Sequence, residues 1–250
     1  MNAQFEMWSY FHYFMIVFPF ILTIILYLYV RKKSYSVKRN IALLMGIIMV
    51  IILALRQIYI FNKDGGLSPE VIPFQVCHFA NFTMLLVAIN KRYRVIGAIS
   101  WCLNFPAGLA SVIFADGLEN YSNVLNMQGI AYILGHMLIV SMGLYLLLTK
   151  MIKINLKTLF KMYKVVTVLF LASVLINNWF IKIFNEKSNY FYTYTPEKGT
   201  PLEDLFNLGL NYELLGITFN PIYLLLLAGV GFILTFIMFL ISKIRYIRFE

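Results

Sequence analysis

Apolar runs of about 20 residues recur from one end of this chain to the other, and that feature decides what it can fold into. Such a run, wound into a helix, crosses a hydrocarbon core of about 30 Å. Inside that core only helices and closed barrels satisfy their own backbone hydrogen bonds. Composition points the same way: 61% of the 250 residues are hydrophobic and 13% are charged, roughly half the charged fraction of a soluble domain. Mean hydropathy is +0.77. The expectation is an all-α membrane protein, a single polytopic domain over residues 1–250 forming a seven-transmembrane-helix bundle.

By apolar length the helices are expected at about 10–30, 41–61, 72–90, 93–115, 127–149, 164–184 and 217–241, with an outer segment at 185–216. Asn62-Lys63-Asp64-Gly65-Gly66 reads as a turn, and Pro73 as a residue near a helix start. Pro106 is expected to kink the fourth helix and free the carbonyl of Cys102. Gly129, His136 and Gly143 recur every seven residues, a stripe on which another helix can pack closely. Tyr190, Phe191, Tyr192 and Tyr194 suit an interfacial aromatic belt. Thr200-Pro201-Leu202-Glu203 looks like an N-cap, Pro at N1 and an acid at N3, opening a short amphipathic helix at about 201–207 across the bundle mouth.

Charge sets the expected orientation. Most of the 21 basic residues fall in alternate loops: Arg31 to Arg39, Lys91 to Arg94, Lys150 to Lys164, and the tail Lys243, Arg245 and Arg248. All of the 11 acids except Glu250 fall on the opposite side. The positive-inside rule then puts the N-terminus out and the C-terminus in. No basic residue precedes the first apolar run, so neither a cleaved signal peptide nor a lipid anchor is expected. The two cysteines, Cys77 and Cys102, lie within helices and do not suggest a disulfide framework. The net charge of +10 comes without an aromatic–basic nucleic-acid motif. Its expected counter-charges are membrane phospholipids. Metal and cofactor are both expected to be absent.

Converting position to depth at about 1.5 Å per residue places the polar side chains of the spans in one layer. Gln75, Cys77, His78 and Asn81 open the third helix, Arg56 and Gln57 close the second, and Asn177 and Asn178 lie late in the sixth. Asn104 and His136 are nearer the midplane. Ionisable groups inside a membrane are costly and usually face a cavity, so the expectation is a polar cavity opening to the outer leaflet. Each residue also has a plainer role: Cys77 and Cys102 as small packing residues, Arg56 snorkelling, Asn177 and Asn178 as interhelical glue. The chemical role is more specific. A thiol becomes a nucleophile when a base takes its proton. Cys77 is then the nucleophile, His136 or His78 the base, and Arg56 an anchor for phosphate. Asn81, four residues from Cys77, shares its helix face as an oxyanion donor.

Four ordered segments carry a family resemblance: IPFQVCHFAN with Pro73 and Cys77, FPAGLASVIFADG ending in Asp116, AYILGHMLIV around His136, and SNYFYTYTPEKGTPLEDLFNLG. Together they resemble the YwaF-type bacterial integral membrane proteins, related to a eukaryotic transmembrane acyltransferase that remodels ether phospholipids. The resemblance implies acyl transfer through Cys77 and His136 in a bacterial plasma membrane. Gln75 stands where the family usually has His, His78 where an acid is common, and Leu210, Asn211, Tyr212 and Glu213 where the last motif is Trp-rich. The expected activity is acyl transfer on phospholipid or lysophospholipid. The alternatives are a non-enzymatic lipid-binding or small-solute transport protein, or a scaffold for envelope machinery.

Overall fold

A computed structural model describes residues 4–119, 121, 123–185, 188–196 and 200–247. Of the charges above, Glu186, Glu197, Arg248 and Glu250 lie outside the described residues, with Lys187 and Lys198, as do the side chains of Asp116, Glu119 and Arg245. Six helices are long and apolar enough to cross a membrane. They are α1 (Tyr10–Val30), α2 (Tyr35–Asp64), the composite helix Arg94–Phe114, α7 (Met127–Leu148), α8 (Leu156–Phe184) and α10 (Pro221–Ile247). A seventh apolar helix, α3 (Val76–Ile89), has 14 residues, about 21 Å of rise. The chain is thus an all-α membrane protein in architecture, with one small hairpin.

The composite helix consists of α4 (Arg94–Ile99), a π-turn (Ser100–Asn104) and α5 (Phe105–Phe114). Its irregularity has a sequence cause. Pro106 offers no N–H to the carbonyl one turn back, and the turn before it widens, with Phe105 N–H donating to Ser100 O. The expected proline disruption therefore takes the form of a π-turn inside a continuous span. Trp101 in that turn donates its indole N–H to Met238 O of α10 at 2.8 Å.

Helix α7 is the centre of the bundle, packed by α1, α2, α3 and α5. Gly143 shows why its stripe is small: a Cβ there would sit 2.9 Å from Phe105 Cβ. Gly143→Val is expected to destabilise the protein by about 1–3 kcal/mol through overpacking. Thermal unfolding in detergent checks this, and an unchanged midpoint would refute the close approach. Thr23 and Ser141 stitch α1 to α7, Thr23 donating to Ser141 O at 3.0 Å and Ser141 to Pro19 O at 3.2 Å. His12 ties α1 to α5 by donating from Nε2 to Val112 O at 2.9 Å.

The 65–75 connection is not helical beyond its ends. Gly65 caps α2 in the left-handed conformation at φ 72°, where glycine carries no Cβ penalty. The third helix, expected from about 72, begins at Val76 with Gln75 as N-cap. Pro73 lies outside it. Gln57 donates to the carbonyls of Glu70 and Val71 at 3.1 and 2.5 Å, and Tyr190 donates to Pro69 O at 2.5 Å. Those side chains satisfy backbone groups a helix would otherwise use, which allows irregular backbone at the edge of a bundle.

The same end carries a crown made from the segment after α8. It contains a 3₁₀ turn (Tyr190–Tyr192), α9 (Pro201–Asn207) capped by Thr200, and a hairpin of β1 (Tyr212–Leu214) with β2 (Ile217–Phe219). The antiparallel register pairs Glu213 with Thr218. Leu215 and Gly216, both at positive φ, form the tight two-residue turn that matches strand twist. Asn220, immediately before α10, accepts from Tyr223 N–H at 3.0 Å. The expected aromatic belt is only partly on the surface. Tyr190 and Phe191 are buried, because Phe74, Phe79 and Phe180 close around them.

Candidate functional site

Three mutually packed helices, α2, α3 and α7, bring one group of polar side chains together beneath the 65–75 connection. Arg56, from α2, has a side chain only 16% exposed. Its Nη1 donates to Gln57 Oε1 at 2.7 Å and to Glu70 O at 3.3 Å, while Nη2 lies 3.5 Å from Glu70 Oε2. Gln128, at the start of α7, donates to that same oxygen at 2.9 Å. The Tyr121 hydroxyl interacts with both Arg56 and Gln128. Burial raises the Tyr121 phenol above its ordinary range, with Arg56 opposing and Glu70 adding to the shift, so the group remains a protonated donor at neutral pH.

Because α3 starts at Val76, Cys77 occupies the first helical turn. In that turn the N–H groups of His78 and Phe79 both donate to Gln75 O, at 3.0 and 3.1 Å. Cys77 is half-buried, while Cys102 is fully buried in the π-turn. His78 is buried, and its Nδ1 has no hydrogen-bond partner among the described residues. Asn81 donates to the carbonyls of Cys77 and His78 at 2.9 and 3.3 Å. The oxyanion donor expected there is thus engaged with its own helix, which is a common use of an amide one turn on.

His136 projects from the buried face of α7. Its Nδ1 lies 2.7 Å from Tyr132 O. A carbonyl only accepts, so Nδ1 carries the proton, and in the neutral ring Nε2 carries the basic lone pair. The Tyr132 ring covers one side at 4.2 Å, itself held by a 3.0 Å bond from its hydroxyl to Ser111 O. The Arg56 charge acts on Cys77, His78 and His136, and His136 acts on His78. These four side chains share one electrostatic neighbourhood. No hydrogen bond joins the Cys77 sulfur to His136 among the described residues.

The remaining candidates lie elsewhere. Gln75 reaches Asn189 O at 3.5 Å. Asn104 donates to Thr83 Oγ1 at 2.6 Å, and its Oδ1 is buried without a partner. Asn177 and Asn178 hold the crown. Asn177 donates to Tyr190 O at 3.0 Å and accepts from Tyr190 N–H at 2.9 Å. Asn178 makes the matching pair with Thr218, at 3.0 and 2.7 Å. Glu70, Tyr121 and Gln128 belong to the site without having been singled out in the sequence. Glu70 lies 14 residues after Arg56, and that spacing gave no signal that the two side chains meet.

No curated protein and no solved structure matches the chain. A family model does, that of the TMEM164 family, over residues 5–239. The match takes in α1 to α5, α7 to α9, the hairpin and most of α10, and every side chain of the site. The chain is therefore a multi-pass membrane protein belonging to the TMEM164 family.

Proposed function

We propose that this protein transfers acyl chains between phospholipids, with Cys77 as nucleophile and His136 as base. The observation that carries the reading is His136: its proton is committed to Tyr132 O, which leaves Nε2 as a base in the neighbourhood of a cysteine at a helix start. The first turn of α3 supports it further. The positive end of the helix dipole favours developing negative charge at Cys77.

In the proposed cycle Nε2 of His136 takes the Cys77 proton, and the sulfur attacks the ester carbonyl of a phospholipid. The ester C–O bond breaks, and the lysophospholipid oxygen leaves with the proton returned by His136. The hydroxyl of a second lysophospholipid then attacks the thioester as His136 accepts its proton; the C–S bond breaks, His136 returns the proton to the sulfur, and a new phospholipid leaves. Arg56 and His78 act as supporting groups. The proposed frame is seven spans, counting α3, with the N-terminus out, the C-terminus in and the site in the outer leaflet. The proposed setting is a bacterial plasma membrane, as the YwaF-type resemblance implies. The basic loops between α1 and α2, α3 and α4, and α7 and α8 support that orientation. Lipid binding without turnover is the second reading, favoured by the missing Cys77–His136 hydrogen bond, although such bonds often tighten only with substrate present.

The test is labelling of the detergent-solubilised chain with an acyl-mimetic thiol probe, read by mass spectrometry. Cys77 should label, Cys102 should stay silent, and His136→Ala should slow Cys77 labelling at least about tenfold. Equal, slow labelling of both cysteines would remove the acyl-transfer reading and leave lipid binding.

A further inference from the structure

Donors from two different helices converge on one oxygen, Oε2 of Glu70. Arg56 Nη2 from α2 lies at 3.5 Å and Gln128 Nε2 from α7 at 2.9 Å, and the Tyr121 hydroxyl interacts with both donors. The donors are inside and the carboxylate is not: the Arg56 side chain is 16% exposed against 60% for Glu70, and Gln128 is 6% exposed. The Arg56–Glu70 contact is a poor version of what a guanidinium can make. A well-formed pair is bidentate at about 2.7–2.9 Å, whereas this one is a single long contact. Oε1 of Glu70 engages nothing among the described residues.

Glu70 is also free to leave. The 65–75 connection is held through its backbone, at Pro69 O by Tyr190 and at Glu70 O and Val71 O by Gln57. The carboxylate can swing away without releasing those bonds. Arg56 lies eight residues before Asp64, the last residue of α2, about 12 Å inward along the axis. Helix α2 has 30 residues, about 45 Å, so Arg56 sits near the boundary between headgroups and hydrocarbon. A phosphodiester carries the same single negative charge as the carboxylate, and its tetrahedral oxygens suit the guanidinium fork.

We infer that Arg56, Gln128 and Tyr121 form a binding site for the phosphodiester of a phospholipid headgroup, and that the Glu70 carboxylate fills it as an intramolecular stand-in until lipid arrives. This deepens the proposed function and rests on its view that the site handles phospholipid. Headgroup entry displaces one carboxylate oxygen and leaves the 65–75 connection held through its backbone by Tyr190 and Gln57.

The experiment is calorimetric titration of the full chain in neutral detergent with dihexanoyl phosphatidylcholine, and separately with inorganic phosphate. Glu70→Gln, which keeps the shape and removes the charge, should bind the short-chain lipid at least tenfold more tightly than wild type. Arg56→Gln should bind it at least tenfold more weakly. Equal affinity of wild type and Glu70→Gln would overturn the inference. Phosphate binding as tightly as the lipid, with the same response to both variants, would overturn the headgroup assignment in favour of a free-anion site. Should Glu70→Gln fail to insert, Glu70→Ala decides: it should bind the short-chain lipid at least tenfold more tightly than wild type, and equal affinity refutes displacement. None of these readouts involves turnover. Lipid binding that follows Glu70 while Cys77 forms no thioester would sink acyl transfer and spare the headgroup site. Turnover with lipid affinities indifferent to Glu70 and Arg56 would do the reverse.

Discussion

Cys77→Ser and His136→Ala are each expected to slow acyl exchange between phospholipids by at least about 10²-fold, the usual scale for losing a positioned base or nucleophile. Serine keeps the volume and position of the cysteine, but its hydroxyl is a far weaker nucleophile at neutral pH. Alanine at 136 removes Nε2 and also the Nδ1–H bond to Tyr132 O, so His136→Gln serves as the more conservative partner variant. Exchange is measured with a labelled acyl donor and an unlabelled lysophospholipid acceptor in vesicles containing the purified chain. Insertion is checked by gel filtration and by the thermal midpoint. Either variant retaining more than a third of wild-type exchange, in a normally inserted protein, ends the assignment. Cys102→Ser is the control and should leave exchange unchanged.

Asn177→Leu is expected to cost about 3–5 kcal/mol of stability and to lower the thermal midpoint in detergent by about 10 °C. Asn177 is fully buried and uses both ends of its amide. It donates to Tyr190 O and to Thr193 Oγ1 at 3.0 and 2.9 Å, and accepts from Tyr190 N–H and Ser188 Oγ at 2.9 and 3.1 Å. Leucine fits the volume but strands the donors and acceptors of a buried turn, each costing about 1–3 kcal/mol. Tyr190 then loosens. Its phenol, pushed up to about 12 by burial first and by the Glu70 charge second, is the donor that pins Pro69 O. The loss should therefore reach the 65–75 connection, measurable as faster hydrogen exchange there. A midpoint within 2 °C of wild type would refute the stapling role.

The spans were legible because nothing but a membrane rewards apolar runs of that length. The group of Arg56, Cys77, His78 and His136 was legible for the related reason that such side chains are rare in a span unless something uses them. Depth along a helix carries no azimuth, however. Asn177 and Asn178 share the depth of Cys77 yet turn toward the crown, and Asn104 turns toward Thr83. The start of α3 was misplaced because Pro73 is compatible with a helix start, while the competing partner for that backbone, the Gln57 amide, lies far back in the sequence. The hairpin went unread because its strands have three residues each, too few to show alternation. The Asn220-Pro221 pair that opens α10 was the overlooked signal for where the last helix begins. Glu70 read as one acid among several in the outer loops, and only the fold sets it against Arg56 and Gln128.

The shortness of α3 has a mechanical consequence for the surrounding bilayer. Phe82, Leu86 and Ile89 are exposed along one side of that helix, spaced to form a lipid-facing stripe. With about 21 Å of rise against a hydrocarbon thickness of about 30 Å, the stripe leaves a step in the protein's apolar girdle beside the taller α2. On the proposed frame, with α3 as a span and Cys77 as nucleophile, lipids at that step would relieve the mismatch by thinning and tilting, which would lower their ester linkages toward the level of Cys77. Thicker membranes would make that local dent more costly, so on the proposed function bilayer thickness would control how readily a lipid is presented to the site.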